Sequence, residues 1–168
     1  PFGLGRAREA VALDCARRGA AADPAQIVLT ASSSEAYAWL FKLLCNPGDE
    51  VLIPSPAWTN YVAVTHLAGG IPVEVPSRPE EGFLPNPDAL RRRVNARTRL
   101  LILNSPNNPT GVVYPEPVLR GIAEVAESAG LIVISDEIYE RILYGGTPHV
   151  PFAGLPGMGE RTLTINGL

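Results

Sequence analysis

Two tracts carry the residues best suited to chemistry: Asn104-Ser105-Pro106-Asn107-Asn108-Pro109-Thr110-Gly111 and Ser135-Asp136-Glu137-Ile138-Tyr139, each following an apolar run. Asp136 stands after Leu131-Ile132-Val133-Ile134-Ser135, so a carboxylate is expected at the end of a buried strand. An unpaired charge there is expensive, and Asp136 needs a partner. A helix cap, or an ion pair with an arginine such as Arg141, would satisfy it. Tyr139, three residues on, shares its face if a helical turn begins at Glu137. The asparagine tract presents several amides in a segment that Pro106 and Pro109 stiffen by restricting φ and removing donors. A lone Asn-Pro is ordinarily a turn, whereas a whole tract of this composition after a strand points to a built loop.

Ser32-Ser33-Ser34 opens a helix-like stretch. Its hydroxyls and unpaired amide N–H groups suit an anion, with the helix dipole favouring phosphate, and the same serines also make good N-caps. Trp58 is either a stacking platform or ordinary core. His66 and His149 have no carboxylate or cysteine at a catalytic or ligand spacing and read as structural. No Ser/His/Asp elbow, Walker loop or Gly-x-Gly-x-x-Gly fingerprint follows any strand, which argues against nucleotide binding.

The elements that must position these residues alternate along the chain. A surface helix is predicted over Gly5 to Arg18, a short strand over Ile27 to Thr30, and a helix over Glu35 to Cys45. Strands follow at Glu50 to Pro54, Ile71 to Val75, Arg99 to Leu103, Leu131 to Ser135 and Thr162 to Ile165, the last expected to be buried. Helices are predicted between them at about Trp58 to Leu67, Pro87 to Val94 and Pro117 to Ala129. Continuous Val/Ile/Leu runs separated by helices imply an α/β three-layer sandwich with a mostly parallel sheet, binding residues gathering at the carboxyl ends of the strands.

The composition, 46% hydrophobic and 18% charged over 168 residues, suits one globular domain with a sizeable core. A net charge of -3 gives no general attraction to nucleic acid or anionic membrane, and neither a bilayer-spanning apolar run nor a signal-peptide pattern is present. A soluble, cytoplasmic protein is expected. Cys15 and Cys45 match no metal or redox spacing, and no metal site is expected.

Taken in order, Thr30 to Ala36, Asn46-Pro47-Gly48-Asp49-Glu50-Val51, Pro54 to Tyr61, Asn104 to Gly111 and Ser135 to Tyr139 resemble the class I/II aminotransferases of fold type I. The resemblance implies pyridoxal 5'-phosphate as cofactor, an amino acid and a 2-oxo acid as substrates, and a homodimer. It implies that Asp136 holds the cofactor's ring nitrogen protonated, which supplies the cation that Asp136 needs. Asn108 and Tyr139 would donate to the phenolate oxygen, Trp58 would stack on the ring, and Ser33 with Ser34 would bind the phosphate. Ser55-Pro56 and Asn108-Pro109 are implied cis bonds. A carbon-sulfur β-lyase of the same fold, and a noncatalytic cofactor-sensing domain of a transcription regulator, are the alternatives.

The chain departs from the family in places. It has Ser32 or Ser33 where the family's phosphate loop often has glycine, and Gly167 where many members have a phosphate-binding serine. The family's Schiff-base lysine would follow Asn166-Gly167-Leu168, so none of these residues is its catalytic lysine. Among thirteen arginines and one lysine, Lys42 alone could substitute, yet it falls roughly 12 Å along a helix from Ser34 at 1.5 Å per residue. These features imply the central part of an aminotransferase large domain, without the small domain or the lysine segment, and inactive by itself.

Overall fold

Five apolar runs become the strands of one sheet in the computed structural model, which describes residues 2–167: β1 (Glu50–Ser55), β2 (Ile71–Pro76), β3 (Thr98–Asn104), β4 (Ile132–Asp136) and β5 (Thr162–Ile165). Pro1 and Leu168 lie outside the described residues, and so does the end of the Asn166-Gly167-Leu168 tract. The helices are α1 (Gly5–Arg17), α2 (Ser33–Leu44), α3 (Asn60–Leu67), α4 (Pro87–Arg93) and α5 (Glu116–Ser128). Strand order is β2-β1-β3-β4-β5, and all four pairings are parallel. Parallel neighbours require crossovers, which α3, α4 and α5 supply as far as β4 and residues 137–161 supply between β4 and β5.

Alternation along the strands splits the core between two faces. Leu52, Leu101, Leu103 and Val133 pack with Leu90 of α4 and Leu119, Ile122 and Val125 of α5. Val51, Ile53, Leu100, Ile102 and Ile134 pack with Tyr37 and Phe41 of α2 and Tyr61 of α3. The sheet is thus covered on both sides, and the expected three-layer α/β sandwich is found.

Two expectations are corrected. Ile27 to Thr30 is not a strand: it joins no ladder among the described residues, its backbone ties being Ile27 N–H to the Pro24 carbonyl at 3.3 Å and Leu29 N–H to the Phe2 carbonyl at 3.1 Å, and Val28 is half exposed. An apolar run becomes a strand only where a sheet edge receives it. β5, expected to be buried, stands among the described residues at the edge of the sheet with β4 as its one neighbour, and Leu163 and Thr164 face solvent.

The topology decides where a ligand can enter. From β1 the chain crosses to β2 on one side, then returns so that β3 pairs with the other edge of β1. Connections leave in opposite directions there, opening a crevice outside the carboxyl ends of β1 and β3.

Candidate functional site

The cleft at this reversal is lined by Ser33, Trp58, Tyr61, Asn104, Asn108, Asp136, Ile138 and Tyr139. Ser33 opens α2, Trp58 lies between β1 and α3, the asparagines come from the end of β3 and its loop, and the last three from the end of β4. Of the six residues singled out for a ligand, five converge here. Ser34 does not line the cleft; it is exposed at the second position of α2.

Helix α2 starts where it does because Ser32 caps it. Its Oγ accepts the Glu35 N–H at 3.2 Å, and Glu35 Oε2 in turn accepts the Ala31 N–H at 2.7 Å. Ser32 is spent as a cap. The N–H groups of Ser33 and Ser34, in the first turn, have no carbonyl within the helix to meet.

The loop after β3 is held by its own asparagines. Asn104, buried, accepts the Asn108 N–H on Oδ1 at 2.7 Å and donates from Nδ2 to the Asp136 carbonyl at 3.1 Å. Asn107 Oδ1 accepts the Thr110 hydroxyl at 2.7 Å and the Thr110 N–H at 3.2 Å, while Ser105 Oγ accepts the Tyr114 N–H at 2.9 Å. Burial pushes the Tyr114 phenol up from its usual range. The implied cis bonds at Ser55-Pro56 and Asn108-Pro109 are present, together with a third at Ser105-Pro106. Asn108 is thereby set opposite Tyr139, its Nδ2 donating to the phenol oxygen at 3.4 Å.

Asp136 is buried without a charged partner: none of the ion pairs among the described residues includes it, and Arg141 pairs with Asp14 and Glu140 instead. Two tyrosine hydroxyls donate to its Oδ2, Tyr37 at 2.7 Å and Tyr61 at 2.6 Å, and the Ile138 N–H donates to Oδ1 at 3.2 Å. Burial, reinforced by the adjacent Asp136 charge, pushes both phenols far above the usual tyrosine range, so they stay protonated donors. The rings of Tyr37, Trp58 and Tyr61 pack together, with centroids 5.3 to 6.1 Å apart. Trp58 is half buried and borders the cleft, so it belongs to the core and to the site at once.

Tyr37 was not named from the sequence, and Asn104 and Tyr61 were named only within longer tracts, without a role of their own. Tyr37 did carry a signal, standing four residues after Ser33 and so on the same helical face. His149 also meets a carboxylate that spacing could not reveal, its Nε2 lying 2.9 Å from Glu137 Oε2. Glu137, Glu140 and His149 bring donor atoms within 4.8 Å of one another. The group's carboxylates are already engaged, Glu137 Oε1 accepting from Ser135 and from the Phe152 N–H and Glu140 pairing with Arg18, while His149 Nδ1 is buried without a hydrogen-bond partner. It ties the turn after β4 to α1 and to the Phe152 segment. Lys42 is exposed on α2 beside Ala38, Trp39 and Leu43, and does not line the Asp136 cleft.

The chemistry this arrangement offers is a buried anion for a cationic ring N–H, an amide and a phenol for an oxygen substituent, an aromatic face, and a helix start for an anionic group. That donor set fits pyridoxal phosphate.

Comparison with known proteins agrees with the geometry. Residues 2–167 match the family described as aminotransferase class I and II. The chain is 45% identical over 168 residues to a probable aspartate/prephenate aminotransferase of Thermus aquaticus, covering 99% of this chain and 43% of that one. It is 44% identical over 171 residues to a probable N-succinyldiaminopimelate aminotransferase of Mycobacterium tuberculosis, again covering 99% and 43%. Among solved structures, an aromatic aminotransferase from Pyrococcus horikoshii superposes with a TM-score of 0.96 at 43% identity, over 99% of this chain and 45% of that one. The chain thus spans about 43% of the length of these two relatives.

Proposed function

The chain belongs to the class I and II aminotransferases and has their fold type I architecture, and from that premise we propose that it forms the cofactor-binding part of a pyridoxal phosphate-dependent transaminase acting on an amino acid and a 2-oxo acid. The observation that carries this reading is Asp136, a buried carboxyl held by hydroxyls and without a protein cation, facing a cleft shared with Trp58, Asn108 and Tyr139.

When bound, pyridoxal phosphate supplies an electron sink for the electron pair left behind as an amino acid loses its α-proton. Asp136 would bind the ring nitrogen and hold a proton on it through a charge-assisted hydrogen bond. Asn108 and Tyr139 would orient the ring by donating to its oxygen substituent, and Trp58 would cover one face. The amide N–H groups of Ser33 and Ser34, with the Ser33 hydroxyl, would take the phosphate at the start of α2. Lys42 stands outside the cleft, so the reactive amine comes from residues beyond these 168. On this reading residues 1–168 are part of the large domain, and a partner domain completes the site.

The names of the relatives support a transaminase over a carbon-sulfur lyase or a transcription regulator. The same proposal includes a cytoplasmic homodimer of amino acid metabolism; no helix among the described residues is long and apolar enough to cross a membrane. The test is performed on the whole protein. Pyridoxal phosphate should give a visible absorbance band that borohydride abolishes, and amino groups should pass from donors such as aspartate or aromatic amino acids to 2-oxo acids. A whole protein with no such band and no transfer sinks the proposal, and light scattering decides the dimer.

A further inference from the structure

We propose that Tyr37 and Tyr61 are a positioning pair that keeps the proton on the ligand's ring nitrogen and off Asp136, by filling Oδ2 with two hydroxyl donors and leaving Oδ1 to face the ligand; this rests on the pyridoxal phosphate reading above.

The argument is an accounting of acceptors. An ionised carboxylate offers about four lone-pair sites and no donor. Tyr37 and Tyr61 occupy both sites on Oδ2, at 2.7 and 2.6 Å, and the Ile138 N–H takes one on Oδ1 at 3.2 Å. One acceptor site is left, on Oδ1. The single proton shared between the ring nitrogen and Oδ1 would lie at that last site, with the three donors keeping their own sites whichever of the two atoms holds it. In a hydrogen bond between a ring N–H and a carboxylate, the proton stays with whichever atom is the stronger base. Each hydroxyl donated to Oδ2 draws charge away from Oδ1 and weakens its claim.

The pair is rigid. The two tyrosines reach Asp136 from different helices, across 99 and 75 residues of chain, and both are buried. Their ring centroids are 5.3 Å apart, and Trp58 closes the cluster edge-on to Tyr61 at 5.5 Å. Phenylalanine at either position preserves this packing and removes only the hydroxyl.

The test is nitrogen NMR on the whole protein loaded with pyridoxal phosphate labelled with ¹⁵N in its ring, comparing wild type with Tyr37→Phe, Tyr61→Phe and the double variant. The wild-type resonance should lie at the position of a protonated pyridine. Each single variant should move it toward the unprotonated position, and the double variant should move it further, while the melting temperatures show that the proteins stay folded. Should the double variant not fold, the two single variants carry the test. Bound cofactor whose resonance is unmoved by both single substitutions overturns the inference and leaves the transaminase reading intact. A wild-type protein that takes up no pyridoxal phosphate overturns both, and the two failures are told apart by wild-type loading.

Discussion

Replacing Asn104 with alanine should loosen the whole site although Asn104 provides none of the proposed ring contacts. Its Oδ1 is the acceptor for the Asn108 N–H at 2.7 Å, and its Nδ2 donates to the Asp136 carbonyl at 3.1 Å. That carbonyl also accepts the Ser105 N–H at 3.1 Å and so keeps a partner after the substitution. The Asn108 N–H loses its acceptor, and on a partly buried residue an orphaned donor costs about 1 to 2 kcal/mol, the lower part of the usual range. The lost amide contacts add to this, for a total of roughly 2 to 3 kcal/mol. With a urea slope of about 2 kcal/mol per molar, the unfolding midpoint should fall by about 1 to 1.5 M. Urea titration followed by tryptophan fluorescence measures it, because Trp58 borders the cleft. Thr110→Val is the control. It removes the hydroxyl bond to Asn107 Oδ1 at 2.7 Å, an oxygen that keeps the Thr110 N–H at 3.2 Å, and it takes from the Val112 N–H only a long 3.4 Å contact on a partly exposed residue that water can replace, so the midpoint should shift by less than about 0.5 M. Equal shifts for the two variants would refute the reasoning that an orphaned donor, rather than any lost loop contact, sets the cost.

Two further outcomes follow from packing and charge. A Cβ added at Gly154 would stand 2.4 Å from the Gly19 carbonyl oxygen, so Gly154→Ala must displace backbone next to α1, at about 1 to 3 kcal/mol. Thermal unfolding should drop by roughly 3 to 10 °C. Gly159→Ala, whose nearest atom would be 3.6 Å away, should leave the melting temperature nearly unchanged, and indistinguishable variants would contradict the packing. The Arg97 guanidinium, with help from Asn95 and against the pull of burial, holds the Glu50 carboxyl below its ordinary value of 4.5. A depressed folded value means that this contribution is present above about pH 4.5 and is lost as pH falls through the lower value. Glu50→Gln should therefore flatten the acid limb of stability between about pH 5 and pH 3. An unchanged limb in urea midpoints measured across that window counts against the pairing.

Most of the fold was legible because parallel strands buried on both faces write themselves as apolar runs. Glu50, Ile71, Arg99, Leu131 and Thr162 all open or adjoin runs that became strands. Ile27 to Thr30 has the same local character and yet joins no ladder among the described residues, and there β5 has β4 alone as neighbour. Local sequence states what a segment prefers; pairing depends on what else is nearby.

The site divides along the same line. Residue types at strand ends drew out the Asn104 to Gly111 tract, Asp136 and Tyr139, because polar groups after buried strands are costly unless used; the family resemblance picked Trp58 and Asn108, and these residues meet in one cleft. What satisfies Asp136 was not legible. Arg141, the nearby cation in the sequence, turns to Asp14 and Glu140, and the donors to the carboxyl are Tyr37 and Tyr61 from helices on one face of the sheet. The sequence by itself determined which strands form and which residues stand at their ends. Only the tertiary structure decided the partners, since a hydrogen bond spanning 99 residues depends on strand order and helix packing, and neither is written in the residues at its two ends.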